Sequence, residues 1–473
     1  MRWRLRSTVP PEAVLVRVFA DERAAAMLPA PLGSWCARQL GRERRAARPV
    51  AAIPALGALP QRWLVAALAP PWDDASAARR QGALIGRCLA ELGESTAALL
   101  AEDLPEEQRV EPWLIGLAQG AYIWDRYRRQ PAPKLEEILV VGRSARWRTA
   151  LRRVEVLDEA LTRCRDLTNL PAEELGPAEF VAEARRWLAG SGVRLRVFDE
   201  RACQRLGLRC LLTVGRASPR RPRLLRLELP GRARTCWSLC GKGVCFDTGG
   251  LNLKNAEGMQ LMRKDMAGAA TVLAALWACA RLGPPALTLR AYLPLADNAI
   301  DGASYRPGDV LRAADGTTIE VTNTDAEGRL LLADAVCLAR REGAQAILSV
   351  ASLTGAALIA LGRIHVPLLA TDERLAERLL AAARAAGEKL WRLPLDDEHR
   401  QLLRGQHSDL VNSPSSPDAG CIVAGAFVAH FAGPVPFAHC DISPASWQPK
   451  AGERLAAGAT GVLVTTLVEA LCG

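Results

Sequence analysis

The chain contains no run of about 18 or more uncharged apolar residues, the length a membrane-crossing helix needs. Histidine is scarce: His365, His399, His407, His430 and His439 are the full set. No His-Glu-x-x-His occurs, which removes the usual helical zinc-protease signature. No Gly-x-Ser-x-Gly elbow occurs, so a Ser-His-Asp hydrolase has little to stand on. The thirteen cysteines are scattered without a Cys-x-x-Cys, as expected of reduced, mostly buried thiols rather than a disulfide frame or a zinc knuckle. Lysine is scarce too, at six residues among 61 cations, and three of the six (Lys242, Lys254 and Lys264) fall within one short segment.

What is present is the material of a large globular protein. At 473 residues the chain is comfortable for two domains, and 49% hydrophobic residues allow a substantial core. The N-terminus, Met1-Arg2-Trp3-Arg4, is basic, but Pro10, Pro11, Glu12, Arg17 and Asp21 deny it a signal peptide's apolar centre. The expected compartment is the cytoplasm, with no membrane partner. The net charge of +10 admits an acidic partner such as DNA. The excess is mostly arginine spread along the chain. Its denser spots, around Arg42–Arg48 and Arg216–Arg223, lack the interleaved aromatics of a single-strand binder.

Residues 1–150 read as a smaller N-terminal α/β domain with an oligomer or regulatory role. Strands are expected at Ala13–Ala20, Trp63–Ala69 and Ile138–Val141, and helices at Ala77–Leu92 and Glu111–Arg128. The amphipathic stretch Leu151–Leu167 predicts a linking helix within 151–170. Residues 171–473 read as a larger catalytic α/β/α domain. Its strand signals at Leu224–Leu229, Thr235–Cys240, Leu287–Leu295 and Ala346–Ala351 alternate with helices at Ala267–Leu282, Leu330–Arg341 and Leu375–Ala386. That rhythm predicts a central, mostly parallel sheet, with ligands bound beyond the strand ends.

Two stretches concentrate the chemistry. The first is Gly241-Lys242-Gly243-Val244-Cys245-Phe246-Asp247-Thr248-Gly249-Gly250, running on to Lys254. The second is Asn323-Thr324-Asp325-Ala326-Glu327-Gly328-Arg329. Both begin where an apolar strand stops. A buried lysine, unlike an arginine, can lose its proton and bind a metal, so lysine in an arginine-rich chain hints at an amine ligand or a compact positive charge. If residues 325–329 are extended, Asp325, Glu327 and Arg329 project to one side, with Ala326 and Gly328 leaving room behind. Carboxylates so placed repel unless protonated or bridged by cations. Asp265 stands at the expected start of the Ala267–Leu282 helix, a placement that equally suits a plain N-cap. Oxygen donors plus one amine suit Mn²⁺, Mg²⁺ or Zn²⁺, as a two-metal hydrolase requires. Asp247-Thr248-Gly249 also matches the aspartic-protease triplet, but that chemistry needs two such aspartates and only one triplet occurs.

With both motifs in order and at the right separation, the sequence resembles the leucine aminopeptidase (cytosol aminopeptidase) family of di-metal exopeptidases. Weaker similarity passes through Tyr305-Arg306-Pro307-Gly308-Asp309 and Ala438-His439-Cys440-Asp441, covering most of residues 160–470. The resemblance implies two divalent metal ions per subunit, with Lys242, Asp247, Asp265, Asp325 and Glu327 as ligands. Asp247 and Glu327 would bridge the two ions. It implies that Lys254 polarises the substrate carbonyl and that Arg329 holds a bicarbonate acting as general base. The Leu353 carbonyl would receive the substrate amide or the product amine. Met262, Ser352, Gly355, Ser443 and Ser446 would line the pocket for the first side chain. Threonine is usual at 352 and alanine at 443, so this pocket is expected to be less apolar. Unbranched or polar first residues should then be cleaved comparably with leucine. The resemblance further implies peptide substrates and a homohexamer. Two rivals remain open from sequence: a DNA-binding regulator on the same fold, with or without peptidase activity, and a pseudoenzyme. All five ligand positions and both catalytic positions are filled, which disfavours the second.

Overall fold

The computed structural model describes residues 1–473 apart from 29, 31, 46–49, 55–58, 62, 106 and 143–145. Arg48, part of one arginine-dense spot, lies outside the described residues. The chain divides into two compact units. One comprises 1–162, 384–388 and 448–460; the other comprises 163–383, 389–447 and 461–473. The division falls inside the long helix Arg146–Asn169.

The first unit is built on six strands: β1 (Arg2–Arg6), β2 (Val14–Phe19), β3 (Val50–Pro54), β4 (Trp63–Leu68), β5 (Thr96–Leu100) and β6 (Glu137–Val141). Their order is β1-β6-β5-β2-β4-β3, parallel except for the edge pair β3–β4. β1, β3 and β5 are short and carry weak patterns, and they escaped the sequence reading. The helices Ala75–Leu92 and Glu107–Ala121 pack backbone to backbone. A Cβ on Gly82 would lie 1.9 Å from the Trp113 carbonyl oxygen, and one on Gly120 would lie 2.1 Å from that of Ala83. The second of these helices was expected to reach Arg128. It stops at Ala121 and leaves Tyr122–Arg128 outside regular helix.

The second unit holds nine strands in one sheet: β7 (Arg194–Phe198), β8 (Arg223–Leu229), β9 (Cys236–Gly241), β10 (Gly243–Asp247), β11 (Thr288–Asn298), then β14 (Ala346–Ala351), β15 (Val366–Ala370), β16 (Leu390–Arg392) and β18 (Phe437–Asp441). β12 (Val310–Arg312), β13 (Thr318–Glu320) and β17 (Leu410–Val411) form a separate small sheet. The large sheet runs β16-β15-β18-β14-β9-β11-β8-β7, with β10 also on β11. Its centre is parallel (β18, β14, β9, β11), and antiparallel pairs sit toward the edges. This is the mixed α/β architecture with a mostly parallel central sheet that the alternation predicts.

The helix Ala267–Leu282 is apolar all round because nearly all of it is buried. The stretch Met262–Leu282 is long and apolar enough to cross a membrane by length and composition, yet 83% of its apolar window is buried inside the protein. A Cβ on Gly268 would lie 2.2 Å from the Val350 carbonyl oxygen, so the helix rests directly on β14. None of the thirteen cysteines is in a disulfide, and eleven are buried.

Candidate metal centre

β9 and β10 are nearly one strand. Both run parallel to β11, and the break between them is Lys242. The Lys242 backbone still bonds on both sides, donating its N–H to the Val350 carbonyl and accepting from Ala269. The break turns a buried lysine side chain away from the ladder. β10 then ends at Asp247, in register with Asn298 at the end of β11. Gly249 follows with φ of +87°, a conformation glycine adopts freely, and a Cβ there would lie 2.9 Å from the Asp325 carboxylate.

The second stretch departs from the expectation in two ways. It follows β13 of the small sheet, not a strand of the central one. It is also not extended. Asp325 lies in a turn, Ala326 caps, and Glu327 opens the helix Glu327–Arg341. The helix carries no glycine from Arg329 to Arg341, and the apolar run Leu330–Leu332 is buried in the core, so the helical period wins over alternation. Gly328 still leaves room: a Cβ there would lie 2.5 Å from Lys242 Cε. Asp265 is likewise no N-cap. It ends a 3₁₀ turn, Met262–Lys264, and Met266 stands at the helix start.

The turn, the strand end and the helix start bring the carboxylates together. Asp247, Asp265 and Glu327 are buried, and each offers an oxygen within 4.8 Å of the others'. The Lys242 ammonium lies 2.8 Å from both Asp265 Oδ2 and Glu327 Oε1. Lys254 Nζ lies 2.8 Å from Asp247 Oδ2 and also pairs with Asp325. Asp265 Oδ2, Asp325 Oδ1 and both oxygens of Glu327 accept no aligned hydrogen bond. Four carboxylates thus face two ammonium groups in a site that is buried at Lys242, Asp247, Asp265 and Glu327 and open to solvent at Lys254 and Asp325.

The electrostatics record that excess. Burial, then Asp247, pushes the Glu327 carboxyl up to about 7; the same causes push Asp325 up to about 6. Asp265 is raised as well, chiefly by burial. Burial lowers the Lys242 ammonium, but Asp265, Glu327 and Asp247 outweigh it, so the net shift is upward. Lys254 moves upward by the same balance. These shifts keep both lysines charged and move the ionisation of Asp265, Asp325 and Glu327 upward. Buried, unaligned carboxylate oxygens beside an amine are the donor set that fits hard divalent cations.

Arg329 is buried and donates to the Asn412 carbonyl at 2.7 Å, while its Nε has no hydrogen-bond partner. Burial lowers it to about 10, leaving it protonated at neutral pH. Leu353 and its neighbours are fixed by Asp441, whose carboxylate accepts from Leu353 N, Thr354 Oγ1 and Ser443 Oγ. Ser352 Oγ donates to Asp265 Oδ1 at 2.7 Å. Of the three pocket serines, only Ser446 keeps a buried hydroxyl without a partner. Met262 opens the turn that ends at Asp265, and Gly355 opens the helix Gly355–Leu361. Asn298, Asn412 and Asp441 were missed from sequence. A polar pair, Asp297-Asn298, at the end of an apolar strand was the available signal for the first. His439 is buried with Nδ1 2.6 Å from Ser349 Oγ, and burial holds it down at about 4, so it is a neutral core group.

The sequence and structure have clear relatives. Residues 162–468 match the cytosol aminopeptidase family, catalytic domain. A probable cytosol aminopeptidase of Solibacter usitatus is 37% identical over 408 residues, covering 85% of each chain. One from a Geobacter species is 34% identical across 100% of this chain and 99% of its own. Among solved structures, the bottromycin maturation enzyme BotP in complex with Mn superposes with a TM-score of 0.84 at 34% identity, covering 98% of this chain and 99% of BotP. The cytosol aminopeptidase of Coxiella burnetii gives 0.81 at 29% identity, covering 98% and 97%. The chain belongs to the cytosol aminopeptidase family and is a metal-dependent aminopeptidase.

Proposed function

We propose that Lys242, Asp247, Asp265, Asp325 and Glu327 hold two divalent cations, with Mn²⁺ the first candidate and Zn²⁺ or Mg²⁺ the alternatives. The observation that carries this is the buried meeting of Asp247, Asp265 and Glu327 oxygens within 4.8 Å, with an amine among them. When bound, such a pair supplies Lewis-acid activation of water and of the scissile carbonyl. The chain's own groups do the rest. Lys254, held between Asp247 and Asp325, carries a positive charge to the oxygen that becomes anionic. Arg329, charged and with Nε free of protein partners, holds a bicarbonate as the base that no histidine provides. Leu353 has its own N–H held by Asp441 and the next N–H, that of Thr354, held by Ser443 Oγ, and its carbonyl receives the substrate amide or the departing amine.

For the first side chain, the pocket of Met262, Ser352, Gly355, Ser443 and Ser446 offers one unspent hydroxyl, that of Ser446. Cleavage of unbranched and polar first residues comparably with leucine follows. Peptides with a free N-terminus are the substrate class of this reading. We place the enzyme in the cytoplasm as a homohexamer, with the first unit serving assembly or regulation. The testing experiment is titration of chelator-stripped protein with Mn²⁺ by calorimetry. Two equivalents per chain are expected, falling to one or none in Glu327→Ala. Saturation without any bound Mn²⁺ would remove the reading.

A further inference from the structure

We infer that Asn298 and Ser352 are positioning residues for the metal centre: each pins one oxygen of an aspartate with a neutral hydrogen bond, so that the other oxygen faces the cations. This rests on the proposed assignment of Asp247 and Asp265 as ligands.

Asn298 is fully buried at the end of β11. Its amide donates to Asp247 Oδ1 at 2.8 Å and to the Thr324 carbonyl at 3.1 Å. Both acceptors lack a proton to give, so the amide cannot be turned the other way without setting oxygen against oxygen. Its own Oδ1 is left buried with no partner. Leaving such an atom unsatisfied is costly, and the fold tolerates that to keep both N–H groups aimed. Gly249 adds a second donor to the same Asp247 oxygen, at 2.9 Å. Oδ1 is thereby saturated, and Oδ2 is the oxygen left toward Lys254.

The second bond of Asn298 matters as much. The Thr324 carbonyl also accepts from the buried Tyr305 hydroxyl at 2.6 Å. That peptide leads directly into Asp325 and Glu327. One side-chain amide therefore ties the first motif's carboxylate to the backbone of the second, across a sequence separation of 26 from Asn298 to Thr324.

Ser352 does the parallel work on the other aspartate. Its hydroxyl donates to Asp265 Oδ1 at 2.7 Å, and its carbonyl accepts from Lys242 Nζ at 3.0 Å. Asp265 Oδ2 is then the oxygen presented toward Lys242 and Glu327. A neutral donor suits this task, because a charged one would compete with the cation for the carboxylate.

The test is Mn²⁺ titration by calorimetry of chelator-stripped full-length variants, read without substrate, beside thermal unfolding of the stripped proteins as a check of folding. Asn298→Ala and Ser352→Ala are expected to weaken Mn²⁺ binding about ten- to hundredfold. Ser352→Thr, which keeps the hydroxyl, should stay within about threefold of the parent, where a role in plain packing would give the alanine and threonine variants no such split. Should Asn298→Ala not fold, Asn298→Ser takes its place. Alanine variants that bind Mn²⁺ like the parent, or a Ser352→Thr as weak as Ser352→Ala, would overturn the inference. Asp247→Asn and Asp265→Asn run in the same titration separate the two levels. If they abolish binding while the alanine variants do not, only the positioning role fails; if they too bind normally, the ligand assignment itself fails.

Discussion

Lys242 and Lys254 occupy matching situations: each ammonium bridges a pair of carboxylates drawn from different segments. Their roles nevertheless differ in accessibility. Lys242 is sealed behind Gly328, whereas Lys254 keeps part of its side chain exposed. Removing Lys254 should therefore leave the metals in place. Lys254→Ala is expected to lower kcat by about 10²–10³, as for loss of an oxyanion donor, with Mn²⁺ affinity changed less than tenfold. Steady-state kinetics on an aminoacyl p-nitroanilide, paired with Mn²⁺ calorimetry, checks the split. Gly328→Ala should do the opposite. Its methyl group would drive into the Lys242 side chain, so metal affinity is expected to fall at least tenfold in the same calorimetry. These residues were readable from sequence because they break the composition: lysines in an arginine-rich chain, and acids among glycines. Asn298 left only the weak signal of a polar pair with Asp297 at a strand end, and Asp441 only its place in a stretch of weaker similarity. Their importance lies in hydrogen bonds across the fold, which only the structure discloses.

At the scale of elements, the central strands and the Ala267–Leu282 helix stood out because burial on all sides leaves an unbroken apolar signal. The Asp325–Arg329 segment misled because two periods compete over five residues, and the downstream run Leu330–Leu332 decides for the helix. The same helix, Glu327–Arg341, carries a second buried acid. Asp334 accepts from Leu211 N and Ala314 N, both at 3.0 Å, and so caps the helix Arg209–Gly215, whose own N-cap supplies no side-chain bond. Burial nonetheless pushes its carboxyl up to about 7. A carboxyl raised above its unfolded value of about 3.9 gives the folded state the extra proton. The stability this proton contributes is full below about pH 4 and is lost as pH rises through about 7. Asp334→Asn cannot lose it. The variant is expected to be less stable than the parent at pH 5, with the gap narrowing by on the order of 2 kcal/mol by pH 8. Denaturant unfolding at the two pH values checks the sign; a gap unchanged between them would mean that the carboxyl is already ionised in the folded protein at pH 5.

For the whole molecule, alternation of strands and helices was enough to give a mixed α/β class, because that rhythm is a property of the entire chain. The composition of the compact units was not legible. Residues 384–388 and 448–460 join the first unit from far along the sequence, and no local signal marks a return of the chain. Assembly belongs to this scale. If the proposed hexamer forms, sedimentation velocity should find a species of six times the 50.9 kDa chain mass, independent of added DNA. A monomer at micromolar concentration would exclude it. The central claim is that buried acids and an amine hold cations that make this chain an aminopeptidase. It is tested most directly by hydrolysis of a series of aminoacyl p-nitroanilides by the purified protein with Mn²⁺. The account predicts turnover that a chelator abolishes, that Mn²⁺ restores, and that Glu327→Ala lacks at any Mn²⁺ concentration. Turnover indifferent to the chelator, or undiminished in Glu327→Ala, would contradict it.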